Sequence, residues 1–505
     1  MANKVTLAVK AISPNAPFPG NAVEFYDEIK AQGGVKDVYF SCDKKYVVAF
    51  YRKKLDANDK ERLNRIVSQY YAHIFDGTSV GDYWKEKLYL PYGIVEWNNR
   101  IGVLIPFYSS DFFFHKNGFN LDGKEKNGKW FASAKLRKMA LPDDQKGDWL
   151  KHLNMCIKIA RATRRLHAAG LAHSDLSFNN VLVDPITGNS CLIDLDEIVV
   201  RGLFPPSVIG TPGFIAPEVM ATKRLPVGDP NKKFPCIETD RHALAVLIYM
   251  YLLYRHPLDG RKVWDLDPEK DEELRMGEKA IFIEHPTNNI NRVRASDLRP
   301  SELPFGDPSK MPYTICGPYL KELFDKAFID GLHNPSARPT AQMWEDALVK
   351  TTDLVQPCQN SSCHAHWYVF DNTTKPKCPF CGTEYKGQLP ILNFYFSPRP
   401  GKFMDEKYRL MVYDNQTLYM WHVNRFVSAN EKVTPENRKP AGDFHFHHNQ
   451  WILINRRLNS MYEIFPDGNK QQIPVGGFVA LTNGKNILLS TEDGGRLVNV
   501  QLVNN

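Results

Sequence analysis

The chain reads as α+β, with a mixed strand-and-helix domain, a cysteine cluster and a terminal β region in that order. Three observations predict it. Apolar runs rich in β-branched and aromatic residues, "DVYF", "KYVVAFYR", "YGIVEW" and "IGVLIPFY", lie between about 25 and 110 with polar turns between them. From about 143 to 350 apolar residues recur at helical spacing, as in "DWLKHLNMCIKIARATRRLHAAG". From about 390 short strands return, as in "YRLMVYDNQTLYMWHV" and "GFVALTNGKNILLS", which predicts a small β-sandwich.

A chain of 505 residues exceeds one compact core, so roughly two to four domains are expected. Its net charge of +7 is spread without a block of like charges. That argues against a basic nucleic-acid tail and suits an acidic partner or an anionic ligand such as a nucleotide. The opening "MANKVTLAVKAISP" lacks a signal-peptide pattern, because Lys10 breaks its apolar stretch. The longest apolar run, "ALAVLIYMYLLY" at 243–254, makes about 18 Å of helix, too short for a bilayer and right for a buried core helix. A cytoplasmic protein with no membrane or nucleic-acid partner is expected.

Taken in order, residues 1–24 read as an N-terminal extension and 25–350 as one mixed domain, strand-rich to about 108 and mainly helical from 109. One helix interrupts the strands, "DANDKERLNRIVSQYYAHIF", with Leu63, Ile66, Val67 and Tyr70 on one face. Gly170 ends the long helix that begins near 149, where a left-handed cap is predicted. A polar, Pro-containing stretch near 260–312 reads as an insertion. Residues 355–386 hold the cysteine cluster and 390–505 the β-sandwich.

The stretch "HSDLSFNNVLV" holds His173, Asp175 and Asn180 in a fixed frame, and "CLIDLDEI" brings Asp194 after a Gly-containing turn. Phosphoryl transfer asks for an oriented nucleophile, metal ions on the phosphates and a cover over the nucleotide. Asp175 suits acceptance of a hydroxyl proton, and Asn180 and Asp194 offer hard oxygen ligands for Mg²⁺ or Mn²⁺. A strand–turn–strand reading of 179–196 would bring Asn180 and Asp194 close together.

This pattern resembles the catalytic loop and metal-binding motif of the eukaryotic-type protein kinases, H-x-D-L-x-x-x-N followed by D-x-x. More of it follows in order: Ala216-Pro217-Glu218 in "GTPGFIAPEV" as the A-P-E motif, Asp240 as the brace of the catalytic loop, and Arg338 in "NPSARPTA" as the partner of Glu218. Upstream, Gly33 and Gly34 in "QGGVKDVYF" stand where the family has its Gly-rich phosphate loop. The resemblance covers 25–350 and implies a bilobal protein-kinase-like fold, ATP, and Ser/Thr residues of protein substrates, with Thr211 in "GTPGF" at the position that contacts the catalytic Asp. Small-molecule kinases of the aminoglycoside type share the His-x-Asp frame but lack the A-P-E segment and the late Arg.

Four departures stand against it. Tyr51 occupies the place of the family's nucleotide lysine in "VVAFYRKK", leaving Arg52 or Lys36 as the cation, with Glu61 on the next helix as its partner or a solvated charge. Regular strand alternation turns Arg52 the other way. Ser174 replaces the Arg of phosphorylation-regulated kinases, Ser177 replaces a Lys near the transferred phosphate, and Asp196 replaces the Gly of D-F-G. Asp196 is read either as a metal ligand or as the mark of a fixed conformation. A working kinase and a pseudokinase scaffold both remain open.

"CQNSSCHAHWYVFDNTTKPKCPFCG" carries Cys358-x4-Cys363, then Cys378-x2-Cys381. Two close pairs across a short hairpin predict a tetrahedral, structural Zn²⁺ site resembling a zinc ribbon. The terminal region resembles the second half of a forkhead-associated (FHA) domain, with Asn459-Ser460-Met461 near the family's Asn-Gly-Thr and Arg425, Arg456 and Arg457 as candidate phosphate ligands. The combination is similar to the bacterial kinases associated with tellurite-resistance (Ter) stress systems, on "VVAFYRKKLD", "IGVLIPFYSSDFFF" and "HSDLSFNNVLVD". That resemblance implies a von Willebrand A-domain protein and a metal-dependent Ser/Thr phosphatase as partners, in stress response or phage defence.

Overall fold

The computed structural model describes residues 2–17, 20–32, 34–116, 119–200, 203, 209–370, 375–399 and 402–504. The chain forms two compact units. The first holds Met1–Gly147, Lys151–Tyr313 and Glu322–Glu345, and the second holds Asp148–Leu150, Thr314–Lys321 and Asp346–Asn505.

The first unit opens with six antiparallel strands: β1 (Lys4–Ile12), β2 (Ala22–Gln32), β3 (Lys36–Ser41), β4 (Tyr46–Tyr51), β5 (Gly93–Trp97) and β6 (Arg100–Pro106). Their order is β1-β2-β3-β4-β6-β5, and pairing of β1 with β5 closes the sheet. Residues 1–24, expected as an extension, therefore supply a strand of the domain. The reason lies in "KVTLAVKAI", whose burial alternates residue by residue, the period of a half-buried strand. Inside the barrel Phe25, Tyr39, Phe50 and Trp97 meet with ring centroids 5.3–5.8 Å apart, a spacing suited to edge-to-face and tilted aromatic contacts.

Helix α1 (Ala57–Arg65) is capped by Asp56, which accepts from the Asp59 amide, and buries Leu63. A π turn at Ile66–Tyr70 follows. Its extra residue rotates the apolar face, so Tyr71 is buried where helical periodicity pointed to Tyr70.

The second half of the unit is helical. The helix Trp149–Ala168 gives way to Gly170 at φ +74°, the left-handed residue expected there. The hairpin of β7 (Val181–Asp184) and β8 (Asn189–Leu192) follows, then the short helix Pro217–Ala221 and the helix Ile237–Leu253. In the last of these every residue from Ala243 to Leu253 is buried, as the apolar run predicts. Among the described residues no helix is long and apolar enough to cross a membrane.

The second unit holds a six-stranded and a four-stranded antiparallel sheet over 388–504. Leu392, Phe394, Leu410 and Val498 from one sheet and Leu418, Phe444, Leu453 and Val479 from the other share one buried core, which makes this region a β-sandwich. Before it, Val355–Pro357 pairs with Trp367–Val369 as a two-stranded ribbon beside the four cysteines.

Candidate active site

The site is built around one loop. Asp240, in the first turn of the buried helix, accepts from the backbone amides of His173 (2.6 Å) and Ser174 (3.2 Å). These two bonds hold Ser174 at φ +71°, a conformation a non-glycine residue adopts only under constraint. Val199 and Ala172 exchange backbone hydrogen bonds of 2.9 Å, so the loop is tied on its far side as well.

Asp175 projects from this loop with both oxygens engaged. Oδ1 accepts from the Thr211 amide (2.6 Å) and hydroxyl (2.7 Å), and Oδ2 accepts from Asn180 Nδ2 (3.0 Å). Thr211 Oγ1 also lies 3.1 Å from Ser177 Oγ. The carboxylate is thus fixed by donors from two separate segments.

The β7–β8 hairpin sets the next pair. Val181 faces Leu192, and the Ile193 amide donates to the Asn180 carbonyl at 3.1 Å. Asn180 therefore lies beside Ile193, and Asp194 is the next residue along, at φ +59°. The hairpin expected over 179–196 is present and brings these two side-chain-bearing positions next to each other.

The cation facing them is Lys36. Its Nζ lies 2.6 Å from Asp194 Oδ1 and 2.7 and 2.9 Å from the two oxygens of Asp196. The β3–β4 register explains how it gets there. Lys36 is directly opposite Tyr51, so the two side chains share one face of the sheet. Tyr51 stands where a lysine was expected, and its cross-strand neighbour delivers the ammonium instead. Burial alone would lower the Lys36 ammonium, but Asp196 and then Asp194 outweigh it and hold it charged, above its usual range. Burial likewise would raise the Asp194 carboxyl, and Lys36 outweighs it and holds it below the usual range.

Other expected residues lie elsewhere. Arg52 pairs with Asp37 at 2.8 Å on the opposite face of β3 and β4, where strand alternation directs it. Glu61 is exposed and pairs with Arg65 one turn along α1 at 2.8 Å, a solvated helix pair. Both pair outside the Lys36–Asp194–Asp196 cluster. Gly34 sits in the β2–β3 turn, where an added Cβ would meet nothing within 4 Å, and Gly33 lies outside the described residues. Of the two cations the sequence offers, Arg52 and Lys36, the hairpin register brings Lys36 to the acids. The signal was in the hairpin: pairing "KDVYF" antiparallel with "VVAFY" across "SCDKKY" sets Lys36 against Tyr51.

Arg338 donates to both oxygens of Glu218, at 2.8 and 2.7 Å, and to the carbonyls of Gly331, Glu238 and Leu332. Its side chain is 1% exposed. Removing it strands a carboxylate and three carbonyls, so Arg338→Ala is expected to cost about 3–5 kcal/mol in a denaturant titration. Lysine lacks the planar fork and should recover less than half of that.

In the second unit the four sulfurs of Cys358, Cys363, Cys378 and Cys381 lie within 4.8 Å of one another, with Cys358–Cys381 at 3.5 Å and Cys363–Cys378 at 3.9 Å. Four thiolates at about 2.3 Å around zinc would be separated by about 3.8 Å, whereas a disulfide would need about 2.05 Å. The donor set therefore fits Zn²⁺. The Cys378–Cys381 turn closes through Gly382, at φ +78°, whose amide donates to the Cys378 carbonyl at 2.8 Å.

In the β-sandwich the three candidate phosphate ligands each face a carboxylate. Arg456 pairs with Asp443 (2.5 Å), Arg457 with Glu436 (2.5 Å), and Arg425 lies 3.8 Å from Glu406 and 3.7 Å above the Phe396 ring.

No family model matches the chain. A dual serine/threonine and tyrosine protein kinase of Apis mellifera is 32% identical over 73 residues, 14% of this chain and 7% of that protein. The chain thus matches a small part of that relative's length. The crystal structure of a Toxoplasma gondii specific rhoptry antigen kinase domain aligns with 69% of this chain and 86% of its own, at 12% identity and a TM-score of 0.39. The first unit is a closed antiparallel sheet followed by a mainly helical half, and it holds the Lys36 strand, the Asp240 brace and the Glu218–Arg338 pair.

Proposed function

We propose that the chain is an ATP-dependent protein serine/threonine kinase. One observation carries the reading: Asp175, fixed by Thr211 and Asn180, shares a site with an oxygen pair, Asn180 and Asp194, and with a buried ammonium, Lys36. Asp175 accepts the proton of a substrate hydroxyl as that oxygen attacks the γ-phosphorus of ATP, and the bond from that phosphorus to the β,γ-bridging oxygen breaks to release ADP. Lys36 binds the α- and β-phosphates. Asn180 and Asp194 would hold Mg²⁺ or Mn²⁺, which when bound neutralises charge on the phosphates. Thr211 donates its amide and its hydroxyl to Asp175, the contact that the kinase resemblance associates with Ser/Thr substrates.

The Cys₄ ribbon is read as a structural zinc site and the β-sandwich as a partner-binding domain of FHA type. From the Ter resemblance of its sequence we read the enzyme as part of a bacterial stress-response or defence module in the cytoplasm, acting with a von Willebrand A-domain protein and a metal-dependent Ser/Thr phosphatase. A scaffold without turnover is the second reading. Ser177 favours it, because a hydroxyl replaces the cation expected near the transferred phosphate.

The test is transfer from labelled ATP to the intact protein and to a generic Ser/Thr substrate, with Mg²⁺, Mn²⁺ or chelator. Metal-dependent incorporation on Ser or Thr is expected. Nucleotide binding with no incorporation under either metal would select the scaffold.

A further inference from the structure

We propose that Asp196 and Tyr51 are the positioning residues of Lys36, in place of any carboxylate on helix α1. The inference rests on the nucleotide reading above and assigns how its cation is held.

Helix α1 offers Lys36 nothing: Glu61 is exposed and paired with Arg65, and Asp59 pairs with Arg62 at 2.8 Å. Asp196 sits beneath Lys36 with its side chain 0% exposed. Both of its oxygens accept from Lys36, and Oδ2 also accepts from the Tyr51 hydroxyl. Three donor bonds on so enclosed a carboxylate favour the counter-ion role of Asp196 over the metal-ligand reading. Tyr51 flanks the ammonium as well, with Lys36 Nζ 5.6 Å from its ring centroid. The Lys36–Tyr51 register puts both donors over the same carboxylate.

The two acids then divide the work. Asp194 is 46% exposed and holds Lys36 by one bond, so it is free to exchange that bond for a metal ion. Asp196 keeps the ammonium in place while Asp194 does so. The lysine's counter-ion lies two residues beyond the metal ligand, in the same strand exit. Displacement of α1 therefore does not release Lys36, and the nucleotide site is assembled without a signal acting through that helix.

The experiment is calorimetric titration of the full-length protein with ATP across a series of Mg²⁺ concentrations, with phosphate transfer followed in parallel. Asp196→Asn lets Lys36 fall onto Asp194, so ATP affinity is expected to drop about tenfold or more, with a matching rise in the Mg²⁺ needed for half-maximal binding. Tyr51→Phe, which removes one hydroxyl from a folded strand, is expected to weaken binding about threefold. Glu61→Gln is expected to change neither. A merely structural role for Asp196 would lower the melting temperature without moving the Mg²⁺ requirement. Unchanged affinity and Mg²⁺ requirement in folded Asp196→Asn, or in Tyr51→Phe should that variant alone fold, overturns the inference. So does a Glu61→Gln loss as large as that of Asp196→Asn. Wild-type protein that binds ATP without transferring phosphate sinks the kinase reading alone. Wild-type protein that binds no ATP sinks both.

Discussion

Asp175→Asn is expected to reduce phosphate transfer by about 10²–10⁴-fold while leaving ATP affinity within about twofold. The exchange keeps the shape of the side chain and removes its capacity to take a proton. Its hydrogen bonds show why the loss should be close to complete. Oδ1 receives two donors from Thr211 and Oδ2 one from Asn180. An amide can satisfy the first pair with its oxygen, but its –NH₂ then meets the –NH₂ of Asn180. Asn180 must turn its amide away from this contact, so the fixed setting of the base is lost along with its capacity to take a proton. Lys36 touches neither group, so nucleotide binding survives. Initial rates from labelled ATP and a binding titration, run on protein with an unchanged melting curve, check both halves. Transfer at the wild-type rate would remove Asp175 from the chemistry.

The parts of this site that were legible in the sequence are those joined by short stretches of chain. His173, Asp175 and Asn180 lie within eight residues, and a turn returns Asp194 to Asn180. Spacing alone places them together, because a hairpin of that length has few registers. Glu218, Asp240 and Arg338 are far apart in sequence, yet each sits in a short recognisable phrase. Lys36 had no such phrase. Its role follows from which residue it faces across β3 and β4, a property of register that a motif does not record. The same alternation that carries Lys36 inward carries Arg52 outward to Asp37. Asp196 was legible as a departure but not as a partner, since its meaning depends on Lys36. The N-terminal strand was hidden by its context: Val5, Leu7 and Val9 share one face of β1, but a sheet edge to receive them was not visible before β5 was placed. In the β-sandwich the class of fold was readable from strand spacing. The role of its arginines was not, because Asp443 and Glu436 reach Arg456 and Arg457 from other strands and loops.

Removing metal from the ribbon should produce the largest structural change. Among its described residues the segment has a two-stranded pairing of Val355–Pro357 with Trp367–Val369 and an isolated bridge between Lys377 and Glu384, and a two-stranded sheet of that size is marginal in water. Cys363, Tyr368, Phe370 and Cys378 are buried, a small apolar group for the chain it must order. Without metal, four thiols within 4.8 Å of one another have no strong reason to stay together. Structural zinc in comparable four-ligand sites contributes an apparent binding free energy of about 10–16 kcal/mol, and that energy is available for folding because the site does not exist in the unfolded chain. Intact protein is therefore expected to carry one zinc per chain by elemental analysis. Stripping it with a strong chelator should open the 358–381 segment to proteolysis and abolish a distinct step in the melting curve, with recovery on adding Zn²⁺. Cys378→Ser should do the same without chelator, since Cys378 is fully buried and a serine hydroxyl is a poor zinc ligand. The phosphate transfer proposed above is the internal comparison, because Asp175, Asn180, Asp194 and Lys36 all belong to the other compact unit. Zinc-free protein that resists proteolysis at 358–381 as well as the native form does would mean that the ribbon is held by packing, and that the four cysteines serve some end other than a structural metal.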